Sequence, residues 1–184
     1  GAHVLEIGDV RAEIPDAPYP EIFARAQASD VAVADEASAA RIRARIEQVM
    51  REKDSVGGVI EIIALNVPVG LGSYAQWDRK LDGRLAQAVM SIHSVKGVEI
   101  GTAFENARQT GTQVHDEIFW EENSNSETPN PIFQIPNSKT GKWATRRTNR
   151  AGGLEGGVTN GMPIVIRAAL KPVSTTLTSL QSID

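Results

Sequence analysis

The stretch Arg146-Arg147-Thr148-Asn149-Arg150-Ala151-Gly152-Gly153-Leu154-Glu155-Gly156-Gly157-Val158-Thr159-Asn160-Gly161 decides how the rest of the chain is read. Half of the ten residues from Gly152 to Gly161 are glycine, so the backbone is free to take positive φ and to approach a partner closely. Successive exposed N–H groups in such a loop form a concavity that suits an anion. From Arg146 to Lys171 there are five basic residues (146, 147, 150, 167, 171) and one acid, Glu155, a local charge of +4 inside a chain whose net charge is −4. That contrast favours a phosphate or carboxylate ligand. The competing reading is a glycine-rich hairpin with solvated arginines. The loop is not a Walker P-loop, because no Gly-Lys-Ser/Thr follows. Nor is it the dinucleotide fingerprint, because Gly-Gly-x-x-Gly-Gly is the wrong spacing and a strand follows where a helix is needed.

Immediately downstream, Ile164, Ile166, Ala168 and Leu170 alternate with Val165, Arg167 and Ala169, which predicts a strand starting after Pro163. It exits into Lys171-Pro172-Val173-Ser174-Thr175, where an ammonium and short hydroxyl donors make a set suited to a phosphate ester. The alternative is a plain strand exit, with proline ending the ladder and Ser/Thr making local turns.

Upstream, His3 to Val10 reads as a short strand with Leu5 and Ile7 on one face. Residues 11–34, with prolines at 15, 18 and 20, read as a connecting loop. Asp35 is placed to cap a helix whose apolar stripe is Ile42, Ile46, Val49 and Met50. Asp54 to Gly58 ends that helix, and Val59 to Leu65 is a β-branched strand covered on both faces or nearly so. A glycine-containing loop spans 66–78. Lys80 to Ile92 is a second helix with Leu81, Leu85, Val89 and Ile92 on one face, and Val95 to Ile100 is a short strand. Residues 119–143 are polar and read as an exposed insertion. Helices alternate with strands without a repeated βαβ spacing, so the fold class is α+β, helices on a mainly antiparallel sheet.

Composition excludes several functions. At 184 residues, 41% hydrophobic and 23% charged, the chain is long enough for one domain with a core. The absence of cysteine removes disulfides and thiolate metal sites and suits a reducing cytosol. No apolar run is long enough to span a membrane, and the acidic balance and few aromatics give no nucleic-acid platform. No nucleophile motif is present. His3 reads as structural and His93 as a residue at an element end. His115-Asp116-Glu117 matches no metal spacing and reads as local hydrogen bonding rather than a metal or proton-transfer site. The start at Gly1-Ala2 and the abrupt end lead us to expect a piece of a longer chain.

These segments resemble the chorismate synthase family. Arg147 to Gly161 is very similar to its Asn-x-Ala-Gly-Gly-Ile/Leu-x-Gly-Gly stretch. Four more segments occur in family order: Asp54 to Glu61, Pro68 to Gly72, Met90 to Gly101, and Lys171 to Thr175. The resemblance implies a β-α-β sandwich, of which residues 1–184 are the central part of a single domain, and a homo-oligomer, expected to be a cytoplasmic tetramer. It implies an anti-1,4-elimination of phosphate from 5-enolpyruvylshikimate-3-phosphate (EPSP) to chorismate, in the shikimate pathway of aromatic amino acid biosynthesis. That reaction requires reduced FMN, and NADP is expected among the associated nucleotides.

Residue by residue, the positions matching flavin contacts are His93, Ser94, Gly156, Lys171, Pro172, Val173, Ser174 and Thr175. The family's catalytic histidine segments and its late Arg-x-Asp motif have no counterpart here. No catalytic residue is therefore expected within these residues, and the 184 residues alone are expected to show no turnover. The alternative is a non-catalytic module that binds a phosphorylated ligand or self-associates.

Overall fold

The computed structural model describes residues 1–121, 135–136, 143–181 and 183. In chain order the elements are β1 (Ala2–Ile7), β2 (Val10–Arg11), α1 (Tyr19–Ala28), α2 (Glu36–Arg51), β3 (Gly58–Ala64), α3 (Leu81–Met90) and β4 (Val95–Ile100). They continue with α4 (Ala103–Asn106), α5 (Gly111–Val114), β5 (Ile118–Glu121), β6 (Ile135–Pro136), β7 (Trp143–Arg146), β8 (Leu154–Glu155), β9 (Val158–Thr159) and β10 (Ile164–Leu170). The main sheet has the order β2-β1-β3-β10-β4, and each of its pairings is antiparallel. The fold class is thus α+β, as the alternation of elements predicts.

Register sorts the side chains into two faces. Val4, Ile60, Ala168 and Val98 lie in one cross-strand row, and Ile62, Ile166 and Ile100 in the next row on the same face. Two helices cover this face. Ala39, Ile42 and Ile46 of α2 pack with Val4, Ile7 and Val10 at one end. Leu81, Leu85 and Val89 of α3 pack with Ile62, Ile166, Val98 and Ile100 at the other. The opposite face carries a charged row, His3, Glu61, Arg167 and Glu99, one residue from each of four neighbouring strands. Arg167 Nε donates to Glu61 Oε2 at 2.8 Å, and Arg167 Nη1 lies 3.6 Å from Glu99 Oε2. Phe23 of α1 covers the His3 end, its ring centroid 6.3 Å from the imidazole.

α2 begins as expected, with the Asp35 carboxylate accepting from Ser38 N at 2.7 Å. Its stripe ends one residue early, because Met50 is 69% exposed while Val49 is buried. Residues 11–34 are not a simple loop, since they contain α1. Pro18 sits at its N-cap and Pro20 in its first turn, where no intrahelical N–H is needed, so these prolines start the helix rather than forbid it. Ile22 and Ala26, four residues apart, are its buried face. The expected strand from His3 to Val10 is split by a tight turn at Gly8, whose φ is +60°. Ile92, placed on the α3 stripe by spacing, lies beyond the helix and is 55% exposed. β4 and β10 have the predicted bounds.

Most of 119–143 lies outside the described residues. Of the described residues there, β5 at one end and β6 within the segment both pair with β7 in a small antiparallel sheet. No helix among the described residues is long and apolar enough to cross a membrane.

Candidate functional site

Two clefts meet the residues singled out by sequence. The first, about 290 Å³, lies where the α3–β4 turn meets the exit of β10. Its floor is apolar, formed by Ile7, Val56, Val59 and Ile60, and its polar rim is His93, Ser94 and Lys171. The two rim segments are tied together by Lys171 N donating to Ser94 O at 2.8 Å. Ser94 has φ +71°, a left-handed conformation that a residue with a Cβ adopts at a cost, so the turn is held in a specific shape. Ser55 Oγ donates to Val173 O at 2.6 Å and fixes the exit further along. Gly57 closes the floor. A Cβ there would collide with the Leu170 carbonyl oxygen and touch Pro172, so the backbone passes under the exit only because this residue has no side chain.

Of the eight positions expected to contact a cofactor, His93, Ser94, Lys171 and Val173 line this cleft, and Pro172 adjoins it through Gly57. Ser174 and Thr175 are exposed on the chain leading away. Gly156 stands apart. It lies in the β8–β9 turn, which packs on the Pro68–Gly72 loop and the start of α3. Thr159 Oγ1 donates to Pro68 O at 2.7 Å, and Leu81 N donates to Gly157 O at 2.9 Å. β10, roughly 20 Å of extended chain, separates that turn from Lys171. At Gly156 φ is +62° and nothing lies within 4 Å of where a Cβ would be, so the turn faces open space.

The floor residues were missed by sequence reasoning. The signal that marks them is the pair Gly57-Gly58 immediately before a β-branched run, a pattern that often accompanies close backbone approach.

The glycine loop does hold an anion, but the anion is the protein's own. The buried Asp116 carboxylate accepts from Thr148 Oγ1 at 2.6 Å, Arg150 N at 2.9 Å and Ala151 N at 2.9 Å. Burial pushes this carboxyl upwards, but the hydrogen bonds from Thr148, Ala151 and Arg150, with the Arg146 charge, outweigh it and hold it below the ordinary aspartate range. Asn149 braces the same loop, donating to Pro163 O and accepting from Gly153 N, each at 2.8 Å. Part of the local +4 is also spent internally. Arg146 pairs with Glu155 at 2.8 Å and donates to Asp116 O at 2.6 Å, and Arg167 is engaged by Glu61 and Glu99. The reading of His115-Asp116-Glu117 as local hydrogen bonding therefore holds at Asp116. No group of three or more His, Asp or Glu side chains among the described residues is arranged to hold a metal.

The second cleft, about 350 Å³, lies on the other side of this loop and is lined by His115, Arg147 and Arg150 among others.

Comparison with known proteins converges on one family. The family model described as chorismate synthase matches residues 1–184. The chain is 46% identical to a chorismate synthase of Brevibacillus brevis over 184 residues, all of this chain and 43% of that protein. It is also 46% identical to one of Trichlorobacter lovleyi, covering all of this chain and 44% of that protein. A crystal structure of chorismate synthase superposes with a TM-score of 0.77 at 41% identity, covering 94% of this chain and 48% of that one. The chain thus spans less than half the length of the curated relatives it matches. With matched sequence from end to end, a shared fold and the family's motif segments in order, the chain belongs to the chorismate synthase family.

Proposed function

We propose that this chain supplies one wall of the flavin site of a chorismate synthase, and that the full-length protein catalyses the anti-1,4-elimination of phosphate from EPSP to give chorismate. The observation that carries the reading is the 290 Å³ cleft, where an apolar floor meets the Ser94 turn and Lys171. A flat, largely apolar ring fits such a floor, and Lys171 offers a point charge to an anionic group at the rim. Reduced FMN, when bound, would lend electron density that helps phosphate leave and would recover it afterwards. The work of these residues is to bind and orient. Ser94 presents its hydroxyl from a fixed turn, Gly57 lets the floor approach the exit closely, and the apolar side chains exclude water.

None of the rim groups is assigned to proton transfer. The acid–base groups belong to the rest of the full-length protein, and the 184 residues alone are expected to give no turnover. A cytoplasmic homotetramer is the expected assembly. Gly156 is retained as a separate contact position, reached only by a ligand that extends beyond the cleft lining.

Titration of the full-length protein with FMN tests the proposal. Lys171→Ala is expected to weaken flavin binding at least roughly tenfold, the scale of one lost charge-assisted contact, and to lower chorismate formation from EPSP in parallel. Unchanged flavin affinity in that variant would overturn the assignment.

A further inference from the structure

We propose that the second cleft, formed by Arg147, Arg150 and His115, is a binding site for a phosphate monoester, distinct from the flavin cleft at the exit of β10. The chain Asp116 sits in places these side chains. His115 and Glu117 are two residues apart in an extended segment and both line the cleft, while Asp116 between them points inward to the glycine loop. Because Asp116 anchors the backbone N–H of Arg150, the root of that side chain is fixed at the cleft wall.

The groups facing the cleft are mostly donors. The Arg147 guanidinium lies over the Phe119 ring, its Cζ 4.2 Å from the ring centroid, a cation–π contact that holds the head group beside the cleft without using an N–H donor. Neither Arg147 nor Arg150 forms an ion pair through its side chain among the described residues, in contrast to Arg146 and Arg167. Gln113 turns its carbonyl oxygen towards Thr110, accepting from Thr110 N at 3.0 Å, so its amide N–H groups remain as donors. Glu117 is the opposing carboxylate. Two guanidiniums against one carboxylate leave the cleft net positive. Two guanidinium side chains lining one cleft favour an oxyanion that can take several donors at once, which a phosphate monoester does.

The test is calorimetric titration of the full-length protein with inorganic phosphate at constant ionic strength. The double variant Arg147→Gln/Arg150→Gln should lose one binding component, at least roughly tenfold in affinity, while Lys171→Ala retains it. Glu117→Gln, an exposed change that leaves the arginines in place, should tighten the same component by about two- to fivefold. The proposal is overturned if the double variant binds phosphate as the wild type does, if Lys171→Ala alone abolishes all phosphate binding, or if Glu117→Gln leaves the affinity unchanged.

Discussion

His3 Nε2 lies 3.5 Å from Glu61 Oε1, with the imidazole fully buried and neither ring nitrogen hydrogen-bonded among the described residues. Burial lowers the histidine pKa below its usual 6.5. The Glu61 carboxylate opposes this, and the Arg167 charge adds to the lowering. The unfolded chain therefore takes up a proton more readily than the folded one. Stability is fully present above pH 6.5 and falls as pH drops below that value, until the depressed folded pKa is reached. Thermal melts of wild type and His3→Gln at pH 7.5 and 5.5 check this. The wild type should lose more of its Tm over that interval than the variant, which has no proton to gain. Equal losses would show that His3 does not titrate in this way.

Removing Arg167 isolates two carboxylates. Glu61 and Glu99 flank it, and their side chains are only 10% and 14% exposed. Arg167→Met should cost about 3 kcal/mol, the scale on which an inward-facing charge is left uncompensated. Adding Glu61→Gln to that variant should restore part of the loss. Urea denaturation of the single and double variants measures both effects.

Asp116 gives a second acid-sensitive element of opposite origin. Its carboxyl is held low, so its contribution is present above the ordinary value of 3.8 and is lost only as pH falls through the lower folded value. Asp116→Ala should cost about 3 kcal/mol at neutral pH, because it leaves the Arg150 and Ala151 N–H groups without their acceptor. Amide hydrogen exchange should then accelerate at these two positions first. Unchanged exchange there would contradict the anchoring role.

Two glycines separate steric from conformational need. Gly57→Ala places a methyl group on the Leu170 carbonyl and should destabilise by about 1–3 kcal/mol, with flavin affinity falling as the floor shifts. Gly156→Ala meets open space and bears only the left-handed φ, about 1 kcal/mol. If Gly156→Ala lowered flavin affinity by more than its small stability loss explains, a direct contact at that turn would be indicated.

Ser94 carries the reverse expectation. Ser94→Gly relieves the left-handed backbone and should stabilise by up to about 1 kcal/mol, while removing the hydroxyl from the rim should weaken flavin binding. A chemical melt and a flavin titration on the same variant should therefore move in opposite directions.

The fold was legible wherever a single periodicity ruled. β4 and β10 follow directly from alternation and from Pro163, and α2 from Asp35 and the Ile42–Val49 stripe. α1 was hidden because prolines that break a helix interior are compatible with its first turn, and the local sequence does not say which applies. The candidate site was half legible. Lys171 could be read as a phosphate donor or as a plain strand exit, and Ser94 was marked only by the family resemblance, while the apolar floor under them comes from β1 and the β3 entry, brought together only by strand pairing. The loop from Arg146 to Gly161 reads by sequence as suiting an anionic ligand, with a plain glycine-rich hairpin as the alternative, and in the structure an internal carboxylate takes the Arg150 and Ala151 N–H groups. That its anion would be Asp116, more than thirty residues upstream, is a fact of tertiary structure that spacing does not carry.

β10 works as a ruler between the two ends of the molecule. Its seven residues set Arg167 among carboxylates on one side and Ile166 among helices on the other, and they deliver Lys171 to Ser94. Deleting or inserting one residue near Pro163 would exchange those sides, driving a guanidinium into oil and isoleucine towards acids, and would misplace the rim lysine by a whole strand step. Length variation in this family should therefore be tolerated around the small β5–β7 sheet and excluded from the seam between Met162 and Lys171.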